Sequence, residues 1–449
     1  MAPSLPTTRG QHLSRHADDW TGRRVTIMGL GCHGGGLGAA RYLAQRGARV
    51  TISDAADRDT LADSLQRLSD VPIAALKLGG HDEADFRAAE FVVVNPAVRH
   101  EHPCLRIARQ SGATLTSEIE LFLRRCPAPV IGVTGSNGKT TTCSMLAALL
   151  TAAGCRTWLG GNIGTSLLCD LDAIAPDDWV VLELSSFQLA HLSEQAPLPR
   201  IAVVTNCTPN HLDWHGHLDH YRRAKQRIIR EQPAEGLAVL NPHDAEVASW
   251  SSLASGRTRA AWPLEKIPVL AVPGMHQRHN AACAAAAAEA AGVDETVIAD
   301  TLRKFRGLEH RLQFVGEVAG RRFYNDSKST TPQATLAALA ALDGPLWLLA
   351  GGHPKGACFE ELARGVVEQT RGAGLFGLAR EQLYTSLRTC HATFNASRNE
   401  RLADALDWCW QQSQPGDTIL LSPACASYDQ FRDFEARGKM FCQWVDALP

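Results

Sequence analysis

Short apolar runs recur along most of the chain, and each run is followed by glycine or polar residues. Short apolar runs with such boundaries are typical of buried strands in parallel sheets, and the stretches between them are long enough for helices. The predicted strands are residues 25–28, 48–53, 91–94, 130–134, 179–184, 200–205, 237–240, 268–272, 322–325, 346–350, 374–377 and 418–421. The predicted helices include 37–46, 143–150 and the alanine-rich stretch 280–291, where alanine has the highest helix propensity.

Because the alternation of strands and helices restarts twice, the pattern predicts an α/β protein built from three successive units with largely parallel sheets. A length of 449 residues fits three domains of about 150 residues each. We expect Rossmann-like N-terminal and C-terminal domains and, on the glycine turn described next, a central P-loop ATPase domain. The predicted boundaries are residues 1–117, 118–307 and 308–449.

One glycine turn carries the strongest chemical signal. The apolar run 130–134 leads into Gly135-Ser136-Asn137-Gly138-Lys139-Thr140-Thr141, and a helix-compatible stretch follows. Glycines let successive N–H groups point at an anion, and the helix adds the positive end of its dipole. Lys139 suits the terminal phosphates of a nucleoside triphosphate, and the Thr140 hydroxyl suits Mg²⁺. The general motif has an earlier glycine where this chain has Val133, so a plain glycine turn is the alternative.

A second glycine loop follows the first predicted strand. It reads Gly29-x-Gly31-x-x-Gly34, and Asp54 ends the next predicted strand. This arrangement is typical of dinucleotide-binding units, in which the acidic residue contacts a ribose. On this motif alone, an NAD-dependent oxidoreductase is an alternative, but it leaves the glycine turn before Lys139 unexplained.

Polar residues follow several other apolar runs. Glu183 lies at the end of one, where ligands of parallel sheets bind, so it is a candidate Mg²⁺ ligand or a helix cap. His211 follows another and could bind metal, orient substrate or lie on the surface. His215, His217 and His220 lie nearby, but their spacing matches no common zinc motif.

Three further segments are weaker signals. Lys225 lies in a basic stretch that, by periodicity alone, predicts the solvated face of a helix. Asp326 and Lys328 lie in a polar cluster before Pro332, which indicates either an anion site or a helix-capping loop. The polar turn 422–431 carries little local signal.

Composition limits the class of protein. Apolar residues make up 45% and charged residues 20%, as in ordinary globular chains. A net charge of −2 gives no basic field, so nucleic acid is not an expected partner. The 13 cysteines form no CxxC pair, which favours reduced thiols. A polar N-terminus and the lack of an apolar run long enough to span a bilayer predict a cytoplasmic protein without membrane association.

In chain order, nine segments resemble the motifs of the Mur ligase family. They are TGSNGKTTT, GGNIG, ELSSFQL, NHLD, YRRAK, GMHQRHNAACA, GLEHRLQFV, NDSKST and LSPACASYDQF. The resemblance runs from about residue 25 to residue 444, and the shortened glycine turn is a feature of that family. It implies an ATP-dependent ligase that adds D-glutamate to UDP-N-acetylmuramoyl-L-alanine through an acyl phosphate, in cytoplasmic peptidoglycan precursor synthesis.

The resemblance also implies cofactors and roles for individual residues. ATP and two Mg²⁺ ions are expected, the glycine loop near residue 31 would bind UDP rather than NAD, and a monomer is expected. The three domains would bind the UDP substrate, ATP and the amino acid, respectively. Implied ATP ligands are Gly135, Ser136, Asn137, Gly138, Lys139, Thr140, Thr141, Asn280, Arg311 and Asp326. Implied Mg²⁺ ligands are Thr140, Glu183, His211 and Lys225, the last as a carbamate. Implied catalytic residues are Lys139, Glu183, His211, Lys225 and Arg311. Implied contacts of the UDP substrate are Cys32, His33, Asp54, Asn162 and Gln188, and those of glutamate are Lys328, Thr330, Lys355, Ser427, Tyr428 and Phe434.

Other functions remain open at the level of sequence. A sister ligase could use L-glutamate on the same nucleotide, or the chain could be a folylpolyglutamate-type ligase, although a UDP-type first domain argues against folate. A nucleotide-gated binding protein without ligase turnover is a further alternative. The presence of Lys139, Glu183, His211 and Lys225 argues against it.

Overall fold

Three separate β-sheets organise the chain, in a computed structural model that describes residues 19–31, 34–164, 166–354 and 356–448. Only the backbone of Asp213 is described. Two sheets are parallel and the third is mixed, which confirms the predicted α/β class. No helix of these residues combines the length and apolar character needed to cross a lipid bilayer.

The first sheet contains five parallel strands. Its elements are β1 Arg24–Met28, α1 Gly35–Gln45, β2 Arg49–Asp54, α2 Ala62–Gln66, β3 Ala75–Leu78, α3 Glu83–Ala88, β4 Phe91–Val94, α4 Pro103–Gln110, β5 Thr114–Thr116 and α5 Glu118–Arg125. The strand order is β3-β2-β1-β4-β5. The order reverses between β1 and β4, and ligands of such sheets bind at that point, beyond the carboxyl ends of the strands.

The second sheet has six strands in the order β11-β10-β9-β6-β8-β7. The elements of this region are β6 Val130–Thr134, α6 Lys139–Ala152, β7 Thr157–Gly161, β8 Trp179–Glu183, α7 Ser186–His191, β9 Ile201–Val204, α8 Leu212–His215, α9 Leu218–Arg230, β10 Leu237–Leu240, α10 Ala245–Ala248, β11 Arg257–Ala260, α11 Met275–Ala290 and α12 Glu295–Lys304. Every residue of the central strands β6 and β9 is buried, as their apolar runs predict. Helix α11 packs against α6, and its small alanine side chains are buried there.

The third sheet has the order β12-β13-β17-β14-β15-β16. Its elements are β12 Gln313–Val318, β13 Arg321–Asn325, α13 Pro332–Leu339, β14 Leu346–Gly351, α14 Glu360–Gln369, β15 Thr370–Phe376, α15 Arg380–Cys390, β16 Ala396–Asn399, α16 Leu402–Gln412, β17 Thr418–Ala424 and α17 Phe434–Asp446. Only the edge pair β12–β13 is antiparallel among the described pairs. Apolar clusters cover both faces of this sheet.

The chain forms two compact units. The described residues up to Asn137, together with those of 155–240 and 244–259, form the first unit. Gly138–Gly154, Asn241–His243 and the residues from Ala260 onwards form the second. The predicted glycine turn therefore contributes its first half to one unit and the start of α6 to the other.

One predicted strand is wrong. Residues 268–272 adopt no regular structure, and the Val269 side chain is 86% exposed. The strand next to β10 at one edge of the second sheet is β11, whose sequence Arg-Thr-Arg-Ala is mostly polar. An edge strand takes its hydrogen bonds from one neighbour only and does not need apolar side chains. The other predicted strands and the three predicted helices are confirmed, with ends shifted by a few residues.

Candidate active site

The first half of the glycine turn is held by the residues that follow β9. Asn137 N donates to Asn206 Oδ1 at 2.8 Å, and Asn206 Nδ2 donates to Asn137 O at 3.0 Å. The Thr205 hydroxyl also donates to Asn137 O, at 2.7 Å. Gly135 has φ of 155°, and a side chain there would clash with the Thr205 hydroxyl. These contacts fix the conformation of the first half of the turn.

The second half of the turn begins α6. Gly138 has φ of 81° and precedes Lys139, the first residue of the helix. The first N–H groups of a helix have no partner within it and point outward, which suits a phosphate. A side chain at position 138 would clash with Asn280 of α11, which is buried. Arg311 Nη2 donates to Thr140 Oγ1 at 3.3 Å. The second unit thus brings together Gly138, Thr140, Asn280 and Arg311, four of the predicted ATP ligands.

Asp326 fixes the loop that carries Arg311. Its carboxylate accepts hydrogen bonds from Leu312 N at 3.1 Å and from the Ser422 hydroxyl at 2.8 Å. His310 and Leu312 flank Arg311 with φ of 64° and 41°. Non-glycine residues rarely adopt this region, and such strain concentrates at functional sites. Burial raises the pKa of Asp326 to about 6.

Replacing Asp326 by asparagine is expected to stabilise the protein at pH 8 while lowering its activity. The folded-state pKa lies above the ordinary value of 3.8, so the contribution to stability is complete below pH 4 and is lost as the pH rises through about 6. The amide oxygen can accept from Leu312 N and the amide nitrogen can donate to the Ser422 hydroxyl, so asparagine keeps two hydrogen bonds, one of them reversed, without the buried charge. Urea unfolding should show a gain of about 2 kcal/mol at pH 8 that disappears near pH 4. A wild type more stable than Asp326→Asn at pH 8 would contradict this assignment.

In the first unit, Glu183 lies at the carboxyl end of β8, as predicted, and is 3% exposed. Asn162 Nδ2 donates to Glu183 Oε1 at 2.8 Å, so a predicted substrate residue and a predicted metal ligand are in direct contact. Gln188 lies in the first turn of α7, and its side chain forms a capping box with Ser185. Glu183 itself does not cap α7 in this arrangement, because Ser185 does.

His211 immediately precedes α8 and adopts φ of 53°, another strained non-glycine position. It is exposed, and the centre of its ring lies 4.8 Å from the centre of the Phe187 ring. The neighbouring histidines have local roles: His215 Nε2 contacts the Ser186 hydroxyl, and the His217 side chain caps α9 by accepting from His220 N. Within the described residues, no three His, Cys, Asp or Glu side chains are arranged to hold a metal.

Lys225 is buried, so the prediction from periodicity alone, that it lies on a solvated helix face, is wrong. Its side chain is 1% exposed, and Nζ donates to Gly135 O at 2.8 Å. The ammonium also lies 4.8 Å from the centre of the Tyr221 ring. The Tyr221 hydroxyl lies 2.7 Å from Ser136 Oγ, which donates to Thr208 O. Helix α9 therefore contacts the glycine turn through both Lys225 and Tyr221.

A cleft of about 340 Å³ lies within the first unit. The glycine loop after β1, the loop after β4, Asn162 and Gln188 all line it. Near the glycine loop, Asp54 accepts hydrogen bonds from the backbone N–H groups of Gly31 and Ala56. Cys32 and His33, two further predicted contacts of the UDP substrate, lie outside the described residues.

Most of the predicted glutamate contacts lie on loops at the carboxyl edge of the third sheet. Lys328 Nζ lies 5.0 Å from the centre of the Phe434 ring. Thr330 precedes α13, Ser427 is buried, and the Tyr428 side chain is 68% exposed. Lys355 lies outside the described residues.

Sequence reasoning missed two side chains with clear positions in the site. Asn206 holds the glycine turn, and its location directly after an apolar strand was the available signal. Glu118 lines the cleft, where Ser166 donates to its carboxylate and burial raises its pKa to about 7. It begins α5 after the capping residue Ser117, so its sequence signal is that of an ordinary helix start.

The structure is that of a multidomain α/β protein with a glycine turn at the start of a helix, and comparisons with known proteins give its family. The N-terminal domain of MurD-like Mur ligases matches residues 23–117, the Mur ligase middle domain matches 133–265, and the glutamate ligase domain of Mur ligases matches 310–425. The chain belongs to the Mur ligase family.

Curated relatives agree with this membership, and a solved structure shares the fold. The chain is 36% identical to the UDP-N-acetylmuramoylalanine–D-glutamate ligase of Symbiobacterium thermophilum, with 95% of this chain and 98% of the relative covered. It is 37% identical to the ligase of the same name from Roseiflexus sp., with 95% and 99% covered. The crystal structure of UDP-N-acetylmuramate-alanine ligase from Thermotoga maritima shares the fold, with a TM-score of 0.59 at 19% identity over 94% of this chain and 99% of that one.

Proposed function

We propose that the protein is an ATP-dependent ligase that joins D-glutamate to UDP-N-acetylmuramoyl-L-alanine in the cytoplasm, as a monomer, during peptidoglycan precursor synthesis. The hydrogen bond from Arg311 to Thr140 carries the proposal most directly. It brings a cation from the loop before β12 to the start of α6, where the terminal phosphates of ATP would lie. The names of the full-length relatives support the choice of substrates.

The proposed reaction has two steps. A carboxylate oxygen of the nucleotide's alanine attacks the γ-phosphorus of ATP and releases ADP, which forms an acyl phosphate. The glutamate amine then attacks the acyl carbon, loses a proton and expels phosphate as the amide forms. Both steps bring anions together, so the cations Lys139 and Arg311 would stabilise the charge that develops on the phosphate oxygens.

Magnesium is the proposed metal, with Thr140, Glu183, His211 and Lys225 as its ligands at two sites. A threonine hydroxyl and a buried carboxylate at a strand end are oxygen donors of the type Mg²⁺ prefers. Carbamylation of Lys225 would convert its ammonium into a further oxygen ligand, and the observed ammonium donates to a backbone carbonyl instead. Bound Mg²⁺ would supply positive charge to the phosphate oxygens.

Each substrate has a proposed location. The UDP nucleotide would occupy the cleft of the first unit, in contact with Cys32, His33, Asp54, Asn162 and Gln188. Glutamate would contact Lys328, Thr330, Lys355, Ser427, Tyr428 and Phe434. ATP would contact Gly135, Ser136, Asn137, Gly138, Lys139, Thr140, Thr141, Asn280, Arg311 and Asp326. The proposed domains remain residues 1–117, 118–307 and 308–449, for the UDP substrate, ATP and the amino acid.

Oxygen-isotope transfer tests the proposed function. The nucleotide substrate is labelled with ¹⁸O at both oxygens of its alanine carboxylate and incubated with ATP, Mg²⁺ and D-glutamate. Because the carboxylate oxygen becomes the bridge of the acyl phosphate, the released phosphate should carry one ¹⁸O per turnover. Unlabelled phosphate released together with amide product would contradict the acyl phosphate, and the absence of both would contradict the ligase.

A further inference from the structure

The second unit contains a fully buried arginine whose hydrogen bonds all go to neutral groups. Arg437, in the first turns of α17, has no exposed surface. Its Nε donates to Ser327 Oγ at 3.0 Å, its Nη2 to Ser327 O at 2.8 Å and its Nη1 to Cys425 O at 3.1 Å. Burial lowers its pKa to about 10, so the group is still a cation at neutral pH.

These hydrogen bonds join loops that leave neighbouring strands. Ser327 follows β13 and Cys425 follows β17, and the two strands are parallel neighbours. Gly352, which follows β14 on the other side of β17, approaches the guanidinium so closely that a Cβ there would lie 3.1 Å from Nη1. The planar fork of an arginine therefore spans three loops at the carboxyl edge of the sheet, where ligands bind.

Two other residues at the start of α17, Gly438 and Phe434, extend this junction. Gly438 O accepts from Asn325 Nδ2 at 3.0 Å, and a side chain at Gly438 would clash with the His310 ring. Phe434 O accepts from the Ser327 hydroxyl at 2.8 Å. The start of α17 therefore contacts three loops of the second unit. Two are the loops after β13 and β17, which carry proposed ATP or glutamate residues. The third is the loop before β12, because His310 adjoins Arg311.

Stability alone does not account for this arrangement. Among the described residues no carboxylate hydrogen-bonds Arg437, although the charge of Asp429 acts on it favourably. Burial of such a cation is costly, and an apolar side chain of similar volume is often at least as stabilising. A guanidinium supplies several donors in a fixed plane, which an apolar side chain cannot do. The loops that it joins carry Lys328, Thr330 and Ser427, three of the proposed glutamate contacts.

We propose that Arg437 is the positioning residue of the amino-acid pocket: it fixes the loops after β13 and β17 so that Lys328, Thr330 and Ser427 face one glutamate molecule. The assignment of that pocket to glutamate rests on the proposed function. Arg437 acts through these loops and is not itself a ligand of the substrate.

The chain offers a closely matched control. Arg321 Nε donates to Ser413 Oγ at 3.0 Å and its Nη2 to Ser413 O at 2.8 Å, which repeats the contacts of Arg437 with Ser327. Arg321 begins β13 and so lies at the opposite end of the strand from the proposed pocket. Arg437→Lys and Arg321→Lys therefore remove the same fork in two places.

Two measurements on the full chain test the proposal: steady-state kinetics and amide hydrogen exchange. In Arg437→Lys and Arg437→Gln, the KM for D-glutamate should rise about 10-fold or more, since lost hydrogen bonds of this kind change affinity on that scale. Affinity for the UDP nucleotide, measured by calorimetry, should stay within about 2-fold of wild type, as should the glutamate KM of Arg321→Lys. Amide exchange of residues 326–330 and 424–429 should accelerate only in the Arg437 variants.

Two results would overturn the positioning role. One is an unchanged glutamate KM in a folded Arg437→Lys protein, and the other is an equal rise in Arg321→Lys. The exchange measurement separates this proposal from the proposed function, because it needs no turnover. If wild type released no glutamate-dependent phosphate, the proposed function would fail, whereas unchanged exchange of both loops in Arg437→Gln would contradict the positioning role itself.

Discussion

Replacing Lys225 by alanine is expected to lower kcat by about 10²-fold or more, because it removes a proposed ligand of the Mg²⁺ that would stabilise charge on the phosphate oxygens. The side chain is buried and contacts Gly135 O at the glycine turn, so its loss acts directly at the proposed phosphate site. Added bicarbonate should not restore the variant, since no lysine amine remains to be carbamylated. Acetate should restore part of the activity by supplying a small carboxylate. Phosphate release measured across an acetate titration gives the result.

Lys266 provides the control for this experiment. Its ammonium also lies over an aromatic ring, that of Trp262, but the side chain is half exposed and pairs with Glu295. Lys266→Ala should keep wild-type kinetics with or without acetate. If acetate restores nothing to Lys225→Ala, the carbamate role loses its support, and wild-type rates in that variant would eliminate it.

Replacing Gly138 by alanine is expected to raise the KM for ATP about 10-fold or more. At φ of 81° an alanine is strained by about 1 kcal/mol. Its Cβ would also clash with the Asn280 side chain, which must move and shift the start of α6. A displaced helix N-terminus would no longer direct its N–H groups at the phosphates. The KM for ATP and the free energy of unfolding in urea are measured together.

Gly154 provides the control that separates the effect of backbone strain from that of the clash with Asn280. It lies just beyond the other end of α6 with φ of 85°, and no atom lies within 4 Å of the position of a Cβ. Gly154→Ala should therefore lose only the roughly 1 kcal/mol of stability that comes from strain and keep the wild-type KM for ATP. Equal ATP affinity in Gly138→Ala and Gly154→Ala would show that the geometry of the turn does not govern nucleotide binding.

The parts of the fold that sequence predicted are those in which one physical factor dominates. The central strands β6 and β9 are buried on both faces, so their apolar runs were sufficient. The edge strand β11 is mostly exposed, and its polar sequence gave no strand signal. The stretch 268–272 is apolar, but only its last residue is buried, which shows that composition alone does not make a strand.

The same distinction applies to the candidate site. Residues at or directly after the ends of apolar strands, such as Glu183 and Asp326, could be located from sequence because parallel strands end at one edge. The burial of Lys225 could not, since it depends on packing of α9 against the glycine turn, which lies 90 residues earlier. Arg437 gave no local signal either, because its partners come from separate loops.

Glutamate-dependent phosphate release tests the central claim most directly. Purified protein is supplied with ATP, Mg²⁺ and UDP-N-acetylmuramoyl-L-alanine, and amino acids are added one at a time. The proposed function predicts phosphate release only when the nucleotide and D-glutamate are both present, with one amide product formed per phosphate. Faster turnover with L-glutamate would contradict the stereochemical assignment. No glutamate-dependent phosphate would contradict the ligase itself.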